Sequence, residues 1–245
     1  MAERNSQMLE LGTVAPEFSL PDPHGNLHSL GSGADAYLVM FICNHCPYVK
    51  RVREELARLG NDYLSRNTVI VAINSNDSNT HPSDSPEKMK EEAATWGYEF
   101  PYVVDGDQSV AKAYRAACTP DFYLFDAEKK LVYRGQLDAS RPSNDIPVNG
   151  LDLRAALDAV LSDSPVSTDQ VASIGCSIKW TSGMSRIISE SALEEHLPHI
   201  VDAGNVPSRI AAAVHSKRHK CRIIRRRCSV RQLEVVFKTD AGMAI

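Results

Sequence analysis

The sequence predicts an α/β domain, a central mixed sheet flanked by helices, with a separate piece at its C-terminus. Two apolar runs of strand length, Ala36 to Ile42 and Asn67 to Ile73, indicate strands buried on both faces. Between them, from about Pro47 to Ser65, apolar residues recur at three- and four-residue spacing, which is typical of an amphipathic helix. A strand–helix–strand order requires a parallel crossover, and a later hairpin makes the sheet mixed.

The flanking segments add a hairpin in front and a second helix behind. Residues 14–30 contain two short extended runs around a turn, which predicts an N-terminal β-hairpin extension. We expect residues 74–85 to form a polar loop. A helix then begins with Ser85 as its N-cap and proline in its first position, and it runs to about Trp96 before stopping at Gly97.

The second half of the domain predicts two more helices and three strands. Tyr102 to Val104 is a short strand, and Ser109 to Ala117 is a helix. Phe122 to Phe125 and Leu131 to Gly135 form a hairpin across a polar turn. Leu151 to Leu161 has leucines on one face and is the last helix of the domain.

Charge separates a C-terminal extension from the rest of the chain. Residues 184–245 hold 11 Lys+Arg and 6 Asp+Glu, whereas the preceding residues hold 16 and 25. We therefore predict a domain over residues 9–183 and a basic extension over 184–245, solvated or loosely ordered, with short helices over 190–200 and 207–214. Its basic run, Arg222 to Arg227, lacks an aromatic platform, so we expect no nucleic-acid partner. Its metal-capable residues match no zinc spacing: His215, His219, Cys221 and Cys228.

Composition places the protein among ordinary globular chains of a reducing compartment. Six cysteines in 245 residues are too few for a disulfide-stapled secreted scaffold. No apolar run is long enough to span a membrane, and the first residues lack the pattern of a secretory signal. We expect a cytoplasmic protein with no membrane partner.

A cysteine pair, Cys43-Asn44-His45-Cys46, follows the first buried strand and precedes the first helix. We expect Cys43 at the helix N-terminus, where free N–H groups and the helix dipole stabilise a thiolate. Cys46, one turn further on, would resolve the mixed disulfide that Cys43 forms. His45 would lower the pKa of Cys43 by adding positive charge beside it.

The same C-x-x-C spacing also occurs in zinc sites. A zinc site needs two further ligands, and the sequence near Cys43 supplies none at a suitable spacing. We therefore predict no metal and no cofactor.

Four segments resemble thioredoxin-like, peroxiredoxin-like proteins of the AhpC/TSA redoxin type, in the subgroup that carries a C-x-x-C pair. The likeness covers roughly residues 9–183, and its segments are Phe41 to Lys50, Ala117 to Asp126, Leu137 to Pro142 and Ser173 to Trp180. The resemblance implies a thioredoxin-like fold with an N-terminal hairpin extension. It also implies that Thr119-Pro120 is the family's cis-proline position, whose backbone binds an extended substrate as an added strand.

Two positions depart from the families that the chain resembles. Peroxiredoxins carry Pro and Thr or Ser at fixed distances before their peroxidatic cysteine. Counting back from Cys46 finds Val39 and Cys43 there, and counting back from Cys43 finds Ala36 and Met40, so neither register fits. Tyr37 stands where thioredoxin has a buried acid, which leaves no identified proton acceptor for Cys46.

Two further cysteines are candidate redox thiols. Cys118 precedes Thr119-Pro120 and is either an extra resolving thiol or a small buried apolar residue. Cys176 follows the last predicted helix and lies either near the active site or in a strand that docks on the domain.

The sequence thus predicts a thiol–disulfide oxidoreductase that acts on protein or small-molecule disulfides and takes electrons from a cellular thiol reductant. Two alternatives stay open. One is a thiol-dependent peroxidase that uses Cys46 or Cys43, and the other is a redox sensor or binding module without turnover.

Overall fold

The computed structural model describes residues 3–181 and, of the remainder, the backbone of residues 222–225, 235–239 and 242–243. The chain divides into two compact units, residues 1–181 and 182–245. Within the described residues, no helix is both long and apolar enough to cross a membrane.

The first unit contains ten strands and four helices among its described residues. In chain order the strands are β1 (Glu3–Asn5), β2 (Leu20–Pro21), β3 (Leu27–His28), β4 (Ala36–Phe41), β5 (Thr68–Asn74), β6 (Tyr102–Val104), β7 (Cys118–Thr119), β8 (Asp121–Phe125), β9 (Leu131–Gly135) and β10 (Ile174–Ser177). The helices are α1 (Pro47–Leu64), α2 (Pro86–Trp96), α3 (Ser109–Ala113) and α4 (Leu151–Leu161).

Five strands form the predicted mixed sheet, in the order β6-β5-β4-β8-β9. The first three run parallel, and β8 and β9 join as the predicted antiparallel hairpin. The N-terminal extension is also a hairpin, in which Leu20 of β2 pairs with His28 of β3. The fold class predicted from the sequence is therefore confirmed.

The central strand β4 buries both of its faces, and the two faces have different neighbours. Leu38 and Met40 pack into an apolar cluster with α1, α4 and the cysteine pair. Tyr37, Val39 and Phe41 pack into a second cluster with α3 and the N-terminal hairpin. Because side chains alternate along a strand, the cysteine pair lies on the α1 side of the sheet and Tyr37 on the other side.

The helix ends follow the signals in the sequence. Helix α1 begins at Pro47, whose fixed φ and missing N–H suit the first helical position. Helix α2 is capped by the Ser85 hydroxyl, which accepts a hydrogen bond from Lys88 N at 3.4 Å. It ends at Gly97, which adopts the left-handed conformation with φ 69°.

Two predicted segments differ in the structure. Helix α3 ends at Ala113 and not at Ala117, because Arg115 turns the chain with a φ of 53°. The predicted polar loop over residues 74–85 contains a short 3₁₀ helix, Pro82–Asp84. This turn brings an acidic side chain back toward the cysteine pair.

A small antiparallel sheet, β1-β10-β7, is absent from the prediction. Its strands are two to four residues long and carry no usable alternation, so the sequence offers little local signal. Strand β10 pairs with β7 so that Cys176 faces Thr119 and Ser177 faces Cys118. The sheet therefore joins the end of the domain to the Thr119-Pro120 segment.

In the second unit the described backbone forms three antiparallel strands: β11 (Arg222–Arg225), β12 (Val235–Thr239) and β13 (Gly242–Met243). The start of the basic run thus lies in β11. The helices expected over 190–200 and 207–214, and the four metal-capable residues of the extension, fall outside the described residues.

Candidate active site

The cysteine pair lies between β4 and α1, with both sulfur-bearing residues enclosed. Cys43 is 1% exposed and Cys46 is 0% exposed. Cys46, with extended backbone, is the N-cap of α1, so the expectation that Cys43 occupies the helix N-terminus is wrong. The physical reason is that helical geometry starts only at Pro47, and residues 44–45 form a bend before it.

The Cys46 sulfur is surrounded by hydrogen-bond donors. Four donor groups stabilise the thiolate of Cys46: the Cys43 thiol, the thiol and the backbone N–H of Cys176, and the backbone N–H of Val49 in the first turn of α1. When protonated, Cys46 instead donates to the carbonyl oxygen of Thr119 at 3.1 Å. The hydrogen bond from Cys43 is the main cause that lowers the pKa of Cys46 to about 5, although burial opposes the shift.

Cys43 is held in the opposite protonation state. Its pKa is raised well above the usual range, first because it donates to Cys46, then because it is buried and because the Asp84 carboxylate is nearby. The Thr119 hydroxyl, with Oγ1 at 3.3 Å from Cys43 Sγ, acts in the other direction by donating to the sulfur. The pKa values of the two cysteines are therefore shifted in opposite directions, which favours Cys46 as the thiolate of the pair.

Asp84, on the 3₁₀ helix, organises the segment between the two cysteines. Its Oδ1 accepts the backbone N–H groups of Asn44 at 2.9 Å and His45 at 3.2 Å. Its Oδ2 lies 2.6 Å from His45 Nδ1 and accepts a hydrogen bond from Asn76 Nδ2 at 2.8 Å. Burial opposes ionisation of Asp84, but the bonds from His45 and Asn76 outweigh it and keep its pKa below the usual value.

The contact with Asp84 changes the expected effect of His45. His45 Nδ1 is 3.8 Å from Cys43 Sγ, as a modulating residue should be. However, the Asp84 carboxylate bound to the same nitrogen balances any positive charge on the ring. The negative charge of Asp84 raises the pKa of Cys43, so the lowering expected from the sequence is not found.

Further contacts fix Asn44 and define the open side of the site. The Asn44 side chain donates to Ser83 O at 3.0 Å and accepts from the Tyr102 hydroxyl at 3.0 Å. The ring of His45 stacks on that of His81, with centroids 4.9 Å apart, and both residues are partly exposed. The Cys43 side of the pair is therefore bordered by partly exposed residues.

The Thr119–Pro120 peptide bond is cis, as the resemblance implies. Thr119 contacts both members of the pair, through its hydroxyl to Cys43 and its carbonyl to Cys46. The backbone edge expected to receive a substrate strand is already paired with β10, where Cys176 stands opposite Thr119. Substrate binding by Thr119 and Pro120 stays a prediction.

The two additional cysteines occupy different positions. Cys176 joins the apolar cluster of the pair and contacts Cys46. Cys118 is fully buried beside the carbonyl oxygens of Pro120 at 3.7 Å and Ser173 at 4.0 Å. Burial raises the pKa of Cys118 far above its usual value, which fits a buried apolar residue better than a resolving thiol.

No proton acceptor stands where thioredoxin has its buried acid. Tyr37 lies on the other face of the sheet, where its hydroxyl accepts the backbone N–H of Ala34 at 3.1 Å. A buried acid does exist at Asp121, whose pKa burial raises to about 7. It bonds the Tyr123 hydroxyl at 2.9 Å, and Tyr123 belongs to the Tyr37 side of the sheet.

Metal-capable atoms do meet at the pair. One ligand atom each of Cys43, His45 and Asp84 lie within 4.8 Å of one another, so the fold brings to Cys43 a carboxylate that its neighbours in sequence do not supply. In the structure the Asp84 oxygens are engaged by four N–H or ring-nitrogen contacts. The three groups are thus already joined by hydrogen bonds, and the absence of a metal stays a prediction.

Sequence reasoning missed Asp84 and could not choose a place for Cys176. A signal for Asp84 exists, since it follows β5 just as the pair follows the neighbouring parallel strand β4. The carboxyl ends of parallel strands meet at one edge of a sheet, where sites are commonly built. Cys176 has no such signal, because its neighbour in space, Thr119, is far away in sequence.

The comparisons agree with this architecture. The model of the AhpC/TSA family matches residues 11–134, half of the chain, and the chain therefore belongs to this family. Its fold is thioredoxin-like, and it is a redoxin-type protein. A search of curated proteins finds no match.

Solved structures extend the likeness beyond the family model. An uncharacterized conserved protein from Geobacillus kaustophilus is 55% identical, with a TM-score of 0.72, over 75% of this chain and 98% of its own. A hypothetical protein from Sinorhizobium meliloti is 52% identical, with a TM-score of 0.72, over 73% of this chain and 99% of its own. The C-terminal domain of a protein provisionally assigned as a thiol-disulfide oxidoreductase from Bacteroides thetaiotaomicron shares the fold at 20% identity and a TM-score of 0.50, over 63% and 98%.

Proposed function

We propose that the protein is a thiol–disulfide oxidoreductase in which Cys43 and Cys46 cycle between a dithiol and a disulfide. The observation that carries the proposal is the enclosed cysteine pair with Thr119 against both sulfurs, its hydroxyl oxygen 3.3 Å from Cys43 Sγ and its carbonyl oxygen 3.1 Å from Cys46 Sγ. The pKa of Cys46 is lowered and that of Cys43 is raised, which favours a thiolate on one of the two sulfurs. A thiol and a thiolate in contact are what disulfide exchange requires, since the thiolate is the nucleophile.

The reaction proceeds in two exchanges. Cys43 passes its proton to Cys46 and attacks one sulfur of a substrate disulfide, which releases the other substrate sulfur as a thiolate. That thiolate takes the proton from Cys46, and the Cys46 thiolate attacks the Cys43–substrate bond. The Cys43–Cys46 disulfide forms, and the second substrate thiolate leaves. The two electrons gained by the substrate come from the two cysteines, and a cellular thiol restores the dithiol.

The assignment of roles follows the surroundings of each sulfur. Cys43 contacts the partly exposed His45, whereas Cys46 lies beneath Thr119 and Cys176. The contact of Cys43 with a partly exposed residue supports its role as the sulfur that attacks a protein or small-molecule disulfide. The lowered pKa of Cys46 supports its role as the second, resolving thiolate.

Reduction of a disulfide substrate such as insulin, with dithiothreitol as donor, tests the proposal. We expect activity from the wild-type chain, and its loss in both Cys43→Ser and Cys46→Ser. Activity in Cys43→Ser equal to that of the wild type would contradict the proposal. A stable disulfide without turnover would instead identify a redox sensor or binding module.

Trapping then distinguishes the two sulfurs. Cys46→Ser should accumulate a mixed disulfide between Cys43 and the substrate, because the resolving thiol is missing. Cys43→Ser is the matched control and should accumulate little mixed disulfide with the substrate, because the attacking thiol is missing. Mass spectrometry of the intact adducts compares them, and the reverse pattern would make Cys46 the attacking sulfur.

A thiol peroxidase is the second candidate. The lowered pKa of Cys46 favours it, because a peroxidase attacks peroxide with a thiolate. Here the Cys46 thiolate attacks a peroxide oxygen, which gives a sulfenic acid and releases an alcohol or water after protonation. Cys43 then condenses with the sulfenic acid and expels water. Labelling of Cys46 by a sulfenic-acid reagent after brief peroxide exposure of Cys43→Ser would support this reaction. Peroxide consumption no faster than that of Cys46→Ser would exclude it.

A further inference from the structure

Strand β10 occupies the place where a bound substrate strand is expected. The resemblance implies that an extended substrate pairs with the residue before the cis-proline, and in this chain that residue, Thr119, pairs antiparallel with Cys176 of β10. The neighbouring bond from Ile178 N to Ala117 O, at 3.2 Å, continues the pairing. The chain thus supplies its own strand at this edge.

The close approach of β10 depends on Gly175. A Cβ atom built on Gly175 would lie 2.0 Å from the carbonyl oxygen of Thr119, closer than any real contact. Since this carbonyl also contacts the Cys46 sulfur at 3.1 Å, the glycine lets β10 come down onto the pair.

The close approach of β10 brings the sulfur of a third cysteine, Cys176, next to Cys46. Cys176 stands opposite Thr119, whose carbonyl oxygen lies 3.1 Å from Cys46 Sγ, and Cys176, only 3% exposed, shares the apolar cluster of the pair. The thiol and the backbone N–H of Cys176 both stabilise the Cys46 thiolate. Cys46 therefore lies between two sulfurs, Cys43 and Cys176. Cys118 is next to Thr119 along β7, and its thiol donates to the carbonyl oxygens of Pro120 and Ser173. It therefore serves as a control.

From this arrangement we infer that Cys176 is a third redox thiol, which forms a disulfide with Cys46 as an alternative to the Cys43–Cys46 disulfide. The inference rests on the proposed function, since in the intact chain it starts from the oxidised pair; in variants without Cys43, glutathione disulfide is the oxidant that forms the Cys46–Cys176 bond. It deepens that function by adding an internal partner in the position of a substrate cysteine.

The step is an internal exchange that needs no outside oxidant. Cys176 loses its proton and attacks the Cys46 sulfur of the Cys43–Cys46 disulfide. The Cys46–Cys176 bond forms, the Cys43–Cys46 bond breaks, and Cys43 leaves as a thiolate that takes up the proton. In the dithiol state the pKa of Cys176 is raised to about 12, by burial and by the bond it donates to Cys46. Once Cys46 is in a disulfide, that second cause is gone, which favours the attack.

Disulfide mapping of the full chain tests the inference. Wild type, Cys43→Ser, Cys43→Ser/Cys118→Ser and Cys43→Ser/Cys176→Ser are equilibrated in glutathione buffers, quenched in acid, alkylated and analysed as peptides. We expect a Cys46–Cys176 peptide in the first three proteins and its loss in the fourth. In the wild type, the ratio of the two disulfides should not change with the glutathione ratio, because their exchange uses no external electrons.

The outcomes separate this inference from the proposed function. A wild-type chain that forms Cys43–Cys46 but no Cys46–Cys176 peptide, together with a folded Cys43→Ser protein that also lacks it, would overturn the third thiol alone. Linkage of Cys176 to a cysteine other than Cys46 would overturn it as well. Absence of both disulfides from the oxidised wild type would overturn both proposals.

Discussion

The charge state of the cysteine pair predicts how its reduction potential changes with pH. The pKa of Cys46 is lowered and that of Cys43 is raised well above the usual range, so we expect the reduced pair to carry one proton between pH 6 and 8. Reduction of the disulfide in this range therefore takes up two electrons and one proton. Each pH unit then changes the equilibrium constant tenfold, which for a two-electron couple lowers the potential by about 30 mV.

A reduced pair that carries two protons would double the slope of the reduction potential against pH. If both sulfurs were protonated in the reduced pair, two protons would be taken up, and the potential would fall by about 60 mV per pH unit. Below the pKa of Cys46 the protein itself should change to this steeper slope, because the thiolate is then protonated. The pH at which the slope of the reduction potential changes thus reports the pKa of Cys46.

Equilibration with dithiothreitol buffers at a series of pH values measures the slope. Samples are quenched in acid and alkylated, and the oxidised fraction of Cys43 is read by mass spectrometry. The Cys176→Ala variant is measured in parallel, so that a single couple is present, and we expect its slope to change at a higher pH because Cys46 has lost the Cys176 thiol as a donor. A slope near 60 mV per unit between pH 6 and 8 in both proteins would refute the thiol–thiolate pair.

Three substitutions, two of them with a comparison variant, test the contacts around the pair. Cys43→Ala removes a donor worth about 1.5–3 kcal/mol to a charged acceptor, so the pKa of Cys46 should rise by about 1–2 units, and by less in Cys43→Ser, which keeps a hydroxyl. Thiolate absorbance during a pH titration measures both, and an unchanged Cys46 pKa in Cys43→Ala would contradict the hydrogen bond. Asp84→Asn removes a nearby negative charge, so the pKa of Cys43 should fall, and the loss of charge-assisted bonds should reduce the free energy of unfolding by about 1–3 kcal/mol. Alkylation against pH and urea unfolding check the two effects, and a Cys43 profile identical to wild type would count against the electrostatic role. Gly175→Ala forces a Cβ to within 2.0 Å of the facing carbonyl and should cost about 1–3 kcal/mol, whereas Gly106→Ala meets nothing within 4 Å and should be nearly neutral. Equal urea midpoints for the two glycine variants would show that β10 does not depend on the close approach.

The elements that were predicted well are those that residues close together in the sequence determine. The buried strands β4 and β5 carry apolar runs, and α1 shows its apolar stripe with Pro47 at the first position. Helix α2 is bounded by a serine cap and a left-handed glycine, signals that a few residues contain. The small sheet was missed because its strands are short and are held by partners distant in sequence.

For the candidate site, the local sequence was enough to identify the cysteine pair, its place between a strand and a helix, and the Thr119-Pro120 segment. The directions in which the pKa values of the two sulfurs shift could be read only from the folded chain. Those shifts depend on Asp84 from the loop after β5 and on Cys176 from β10, which the parallel crossover and the small sheet bring to the pair. Hydrogen bonds and burial set the pKa of a thiol, and both arise from neighbours that local sequence does not specify.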